Sequence, residues 1–144
     1  MGLYIMGHSW VDIEISDLER THSKKVKALV DTGVTLTTLP QKLADELGIT
    51  AVTQEQVNTG AGTIQISRGR AWIKLKGKDD AFPVWISDFI DKVLLGVVVL
   101  ESLGFKVDPT TGTLEEKPLL LYWQRTTRQE STPMEPPAFI VQSK

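Results

Sequence analysis

Lys27-Ala28-Leu29-Val30-Asp31-Thr32-Gly33-Val34-Thr35-Leu36-Thr37-Thr38-Leu39-Pro40 sets an apolar run against an acidic turn and then returns to apolar and β-branched residues. Such a pattern predicts a strand over Val26 to Val30 that ends in a tight turn at Asp31-Thr32-Gly33. Alone, the tripeptide is a weak signal, arising by chance in a chain of this length on the order of a few times in a hundred. Its plainest reading is a turn in which Asp31 bonds a nearby backbone N–H and Gly33 supplies a positive φ. What surrounds it decides how much more it means.

Upstream, Trp10 to Ile15 alternates apolar and polar residues, and Ala71 to Lys76 does the same downstream, the period-two signature of half-buried strands. Ala51 to Val57, Ile64 to Ser67, Phe82 to Ile86 and Phe105 to Val107 are shorter β-leaning runs bounded by Gly, Pro, Asp or Ser. A mainly β fold with one or two short helices is expected. The clear helix candidate is Pro40 to Leu47, with Pro40 in the first turn, Leu43 and Leu47 on one face, and Gly48 as a left-handed stop. Gly77 to Asp80 and Pro109 to Gly112 read as hairpin connections, and Asn58 to Thr63 as a longer one. Val93 to Leu103 is ambiguous: its valines favour a strand, whereas Leu100-Glu101-Ser102-Leu103-Gly104 reads as a helix end.

Composition narrows the chemistry. With 144 residues, 41% hydrophobic and 24% charged, the chain is sized for one globular domain. The net charge of −2 leaves no basic surplus for a phosphate backbone, so nucleic acid is not an expected partner. The absence of cysteine removes disulfides, thiol nucleophiles and Cys-ligated metals, and the two histidines, His8 and His22, sit in no ligand or triad motif and read as surface residues. No metal and no cofactor are expected. The first residues lack a basic n-region, and the longest apolar run, Val93 to Leu100, is well short of the roughly 20 residues that span a bilayer. A soluble, cytoplasmic protein without a membrane partner is expected, with a domain over 1–124 and a polar, Pro-containing tail over 125–144.

In the second half, Val93-Leu94-Leu95-Gly96 is followed by Leu100-Glu101-Ser102-Leu103-Gly104-Phe105-Lys106-Val107-Asp108-Pro109. With Asp31-Thr32-Gly33 behind an apolar strand and a glycine-bearing hairpin at Asn58 to Thr63, this chain resembles the retropepsin-like aspartic proteases. The resemblance covers about residues 9 to 116, and the Leu-Glu-x-Leu-Gly-Phe-x-Val-Asp-Pro stretch looks like the small stand-alone members of bacteria and archaea.

The resemblance implies a closed acid-protease barrel with a dimeric active site. An aspartic protease needs two carboxylates and the chain carries one Asp-Thr-Gly, so the site is completed only across a twofold axis in a homodimer. Two carboxylates about 3 Å apart cannot both ionise and so share one proton, for which aspartic proteases are the standing example. One Asp31 would then act as general base on a bound water and its partner would polarise the scissile carbonyl of a peptide or unfolded protein substrate. Thr32 would brace the two loops against each other and Gly33 would admit close approach. Asn58, Thr59, Gly60, Ala61, Gly62 and Thr63 would form the flap over bound peptide, with Gly60 and Gly62 supplying mobility. Leu94, Leu95 and Gly96 would pack beneath the Asp31 loop, with Gly96 opening a short helix.

Two residues depart from the family pattern: Val34 stands where Ala or Ser is usual, and the poor helix formers Val97 to Val99 stand where the family has its helix. Trp10, Trp72 and Trp85 read as core or cleft-lining, Glu19, Arg20, Lys24 and Lys25 as a solvated loop, and Leu119 to Trp123 or Leu3 to Met6 as a terminal strand at the dimer interface. The expected function is an aspartic-type endopeptidase. The alternatives are a catalytically silent peptide-binding or dimerisation module on the same fold, and an unrelated β-barrel binding domain in which both motifs are accidental.

Overall fold

The strand order follows from where the chain alternates. In a computed structural model describing residues 9–119 and 121, the apolar members of the first alternating run, Ile13 and Ile15, turn inward from β1 (Trp10–Ser16). β1 pairs antiparallel with β2 (Ser23–Val30), which buries Ala28 and Val30 on the same side. The remaining elements among the described residues are β3 (Thr38–Pro40), α1 (Gln41–Leu47), β4 (Thr53–Thr59), β5 (Gly62–Leu75), β6 (Lys78–Ser87), β7 (Val93–Leu95), α2 (Val97–Ser102), β8 (Phe105–Val107) and β9 (Leu114–Glu116).

β1, β2, β7, β3, β6 and β5 pair in that order, and β5 pairs back to β1 through Ile13↔Leu75 to Ser16↔Trp72, so six strands close into a barrel. β4 stays outside the ring and pairs with β5. Closure removes free edges from the ring and gives one interior, filled by aliphatic side chains such as Ile15, Leu39, Ile73, Leu75, Val84 and Leu95, all fully buried. Each such side chain contributes about 1.5–3 kcal/mol by leaving water. β8 and β9 form a separate hairpin against α2, with Phe105 buried.

β5 unites two runs that the sequence separates, Ile64 to Ser67 and Ala71 to Lys76. Along it the more buried positions shift from Ile64, Ile66 and Arg68 to Ala71, Ile73 and Leu75, and the shift falls at Gly69. A Cβ there would lie 2.7 Å from the Thr50 carbonyl oxygen, so the chain leaving α1 crosses the strand where no side chain stands in the way.

Other boundaries also move. Pro40 is extended and caps α1 from outside; Leu43, Ala44 and Leu47 are buried, and Gly48 at φ 72° ends the helix. The run expected over Ala51 to Val57 is a strand over Thr53–Thr59. The turn expected at Gly77 to Asp80 is instead Lys76-Gly77, both at positive φ as a two-residue type I′ turn requires, and Lys78 to Asp80 belong to β6. Val93 to Leu103 divides at Gly96 into β7 and α2. Three valines become helical because burying Val99 and Leu100 outweighs a propensity deficit of roughly 0.5 kcal/mol per residue.

Trp10 is 51% exposed, and Trp72 and Trp85 are half-buried, so none of the three is in the core. Arg20 is no free solvated side chain: its guanidinium stacks 3.7 Å above the Trp72 ring. Lys24 and Lys25 belong to β2 and not to a loop. Leu119 and Leu121 are exposed, whereas Leu3 to Met6, His8, Leu120, Tyr122, Trp123 and the tail from Arg125 lie outside the described residues. Among the described residues no helix is long and apolar enough to cross a membrane.

Candidate active site

Asp31 follows the last residue of β2, and its backbone is held from the first atom. Its N–H donates to the Leu95 carbonyl at 3.0 Å, extending the parallel β2–β7 ladder, and its carbonyl accepts the Val34 N–H at 3.1 Å, closing the turn. The Gly33 N–H donates to Asp31 Oδ1 at 3.0 Å, while Oδ2 makes no hydrogen bond among the described residues. Asp31 is half-buried; Thr32 and Gly33 are exposed.

Gly33 does not take a left-handed conformation, contrary to the plain reading of the turn. Its smallness serves the carboxylate instead, since a Cβ would lie 3.3 Å from Asp31 Oδ1, closer than ordinary contact.

Leu94, Leu95 and Gly96 lie beside this loop. Past Gly96, the Val97 and Val98 N–H groups donate to the carbonyls of Val34 and Thr35 at 2.9 and 3.1 Å. The first turn of α2 therefore satisfies its open donors on the Asp31 loop and not on a cap side chain. Gly96 is required by space: a Cβ would sit 2.8 Å from each of Leu36 C, Thr35 O and Val34 O. Both backbone polar groups of Val34 are thus engaged and its side chain is half-buried, so the departure from Ala or Ser is accommodated without opening the turn.

Thr37, which sequence reasoning missed, is fully buried and its Oγ1 accepts the Gly96 N–H at 3.0 Å. Nothing in Thr35-Leu36-Thr37-Thr38 distinguishes this hydroxyl from its neighbours; only the fold brings Gly96 to it.

The ladder registers place further residues on the Asp31 face. Ala28 and Val30 point into the core, so alternation puts Leu29 and Asp31 on the other side of the strand. Across the sheet Leu29 aligns with Leu94, Leu94 with Thr38, Thr38 with Trp85, and Trp85 with Arg68. At the end of this row the Trp85 Nε1–H donates to Glu55 Oε2 at 2.6 Å, and Arg68 Nη1 donates to both Glu55 oxygens at 3.1 Å. The Trp85 donor foremost, with Arg68 and against the opposing effect of desolvation, holds the Glu55 carboxyl below the usual range.

The hairpin expected over Asn58 to Thr63 is tighter than its glycines suggest. Asn58 and Thr59 belong to β4, Gly62 and Thr63 to β5, and Gly60-Ala61 make the turn. Thr59 Oγ1 donates to the Gly62 carbonyl at 2.7 Å and accepts the Ala61 N–H at 3.0 Å, and the Thr63 hydroxyl donates to Asn58 Oδ1 at 2.9 Å. Elsewhere, a cavity of about 210 Å³ beside Trp72, Arg20 and Asp79 and a groove of about 630 Å³ along Lys25, Lys27, Lys74 and Lys76 include no residue of the Asp31 turn.

A family model described as aspartyl protease matches residues 11–105. Among solved structures the chain is similar to the EIAV protease complexed with the inhibitor HBY-793, at 20% identity over 67% of this chain and 88% of that one, with a TM-score of 0.52. It is also similar to a retropepsin-like aspartic protease from Rickettsia conorii, at 22% identity, 69% and 86% coverage and a TM-score of 0.47. The Simian Foamy Virus (mac) protease follows at 26% identity, 61% and 87% coverage and a TM-score of 0.44. No curated protein matches. Among the described residues, the closed six-stranded barrel with two short helices is the retropepsin-like fold expected from the sequence.

Proposed function

Since this chain belongs to the aspartyl protease family, we propose that it is a homodimeric endopeptidase whose two Asp31 carboxylates activate one water across the dimer axis. The observation that carries this reading is the single Asp-Thr-Gly turn at the end of β2, braced by Leu95, Val97 and Val98, with one carboxylate oxygen uncommitted among the described residues. One such turn supplies one carboxylate, and the chemistry needs two.

In this mechanism the ionised Asp31 takes a proton from the water as its oxygen attacks the peptide carbonyl carbon, and the protonated Asp31 of the second copy donates to the carbonyl oxygen. A tetrahedral gem-diol forms without a covalent enzyme adduct. The proton held by the base then passes to the leaving amide nitrogen as the C–N bond breaks, and the second Asp31 recovers its proton from a diol hydroxyl. Positioning supplies much of the rate, because the turn is held by fixed backbone hydrogen bonds and not by side-chain rotamers. Thr32 is exposed and its hydroxyl makes no hydrogen bond among the described residues, which suits a contact to its counterpart across the axis. The Gly60-Ala61 hairpin closes over the substrate, which lies extended between it and the floor.

The test is digestion of an unfolded protein mixture by wild type and by Asp31→Asn from acidic to neutral pH, with cleavage sites read by mass spectrometry and assembly by analytical ultracentrifugation. Cleavage by a wild-type dimer that vanishes in a folded, dimeric Asp31→Asn supports the reading. Cleavage by the mutant, or a wild type that is monomeric while cleaving, overturns it.

A further inference from the structure

The β4–β5 hairpin is joined to the barrel at one level. β5 first pairs with β6 at Ser67↔Ile86, and from Ile66 back to Gly62 it pairs with β4 instead. The segment from Glu55 through the turn to Ile66 is therefore a two-stranded ribbon extending past the ring. Such a ribbon is marginal by itself in water, so its pose depends on what ties its base.

At that base stands Glu55, opposite Ile66, the last ribbon pair before the barrel. Its carboxylate takes the Trp85 indole N–H from β6 and both Arg68 contacts from β5, so one side chain spans three strands. Trp85 is itself anchored: its backbone N–H donates to the Thr37 carbonyl at 2.9 Å, and the Thr37 hydroxyl takes the Gly96 N–H under the Asp31 turn. The ribbon tip is already locked by Thr59, Thr63 and Asn58, which leaves the base as the place where it tilts.

We propose that Glu55 is a positioning residue for the peptidase reaction, tying the hairpin to Trp85 on the barrel wall so that the Gly60-Ala61 turn is held at a set height over Asp31. The proposal rests on the hairpin serving as the lid of the proposed function. Glu55 lies about 16 Å along the strand from the turn, so a tilt of roughly 10° at the base moves the tip by about 3 Å, enough to break the tip's contacts to an incoming peptide, a cost incurred on binding when the hairpin is brought back over Asp31. Glu55 touches neither water nor scissile bond; it acts through the hairpin.

The experiment uses the full chain as wild type, Trp85→Phe, which keeps an aromatic ring and removes the donor, Glu55→Ala, and Glu55→Gln, which keeps an acceptor for the indole. Amide hydrogen exchange is read in β4 against β1 and β2, and kcat and KM are read on a quenched peptide built around the strongest site cut in the unfolded mixture. Trp85→Phe and Glu55→Ala are expected to speed β4 exchange about tenfold with β1 and β2 unchanged, and to raise KM about tenfold with kcat within about twofold, Glu55→Gln falling between. Unchanged β4 exchange in both variants, or a fall in kcat at constant KM, overturns the proposal. If wild type cleaves no peptide, the proteolytic reading fails separately, and the exchange result alone decides whether Glu55 holds the hairpin.

Discussion

Replacing Gly96 with alanine adds one methyl group where there is no space for it. Its Cβ would lie 2.8 Å from three backbone atoms, Leu36 C, Thr35 O and Val34 O, where ordinary contact begins at 3.4 Å. Backbone cannot swing aside as a flexible side chain does, so the Asp31 turn or β7 must retreat by roughly 0.6 Å. Such overpacking costs about 1–3 kcal/mol. The retreat also strains the bonds from Val97 to Val34, from Val98 to Thr35 and from Gly96 to Thr37, each worth about 1 kcal/mol. With the three bonds weakened and not all lost, the expected destabilisation is about 3–5 kcal/mol, a large share of the roughly 5–15 kcal/mol that holds a domain together. Gly60→Ala is the control, because a Cβ there meets nothing within 4 Å and the backbone is not left-handed. Urea unfolding at one fixed protein concentration, followed by tryptophan fluorescence, should place Gly60→Ala within about 0.5 kcal/mol of wild type. Gly96→Ala should lose about 10–20 °C in thermal midpoint. If the two variants unfold within about 0.5 kcal/mol of each other, the claim that Gly96 is a steric requirement of the Asp31 turn is wrong.

Gly33→Ala should separate chemistry from folding. Its Cβ would press on Asp31 Oδ1 at 3.3 Å and on nothing else within 4 Å, so stability should change by under about 1 kcal/mol while kcat/KM falls about 10- to 100-fold. An unchanged kcat/KM, or a loss of stability matching that of Gly96→Ala, would refute this. Acid should weaken the fold through carboxylates whose folded values are depressed: Glu55 chiefly by the Trp85 indole, Asp17 by the Thr21 hydroxyl, Asp108 by the Thr110 amide. A depressed folded value means that their contribution is complete above the ordinary carboxylate value of about 4 and drains away as pH falls below it through the folded values. The urea midpoint should therefore drop below about pH 4, less steeply in Asp17→Asn, and a midpoint that stays level down to about pH 2 would contradict it.

The sequence by itself determined what local chemistry can express. Alternation at Ile13 and Ile15 marks an inward-facing strand wherever that strand lies, because the side-chain period is a property of extended backbone. Pro40 and Gly48 bracket α1 through their own φ preferences. The Asp31-Thr32-Gly33 turn and the Leu94-Leu95-Gly96 run were legible because each is short and contiguous, an acidic turn behind an apolar strand and an apolar pair ended by glycine.

Tertiary structure decided what depends on residues far apart in the chain. Val97 to Val99 became helix because the Asp31 loop offered carbonyls to the Val97 and Val98 N–H groups and the core took up Val99, neither of which a propensity records. β5 became one strand because its ladders with β4 and β6 overlap at Ser67 and Arg68, and Gly69 leaves room for Thr50 to cross it. Gly33 needed room for a carboxylate and not a positive φ, a distinction invisible until the Asp31 rotamer is placed. Thr37 reaches Gly96 across 59 positions and Glu55 reaches Trp85 across 30, and in both cases the pairing exists only once the barrel has closed. Strand register, a cooperative property of the whole sheet, selects those partners, which is why single-residue patterns could point to the Asp31 turn and not to what holds it.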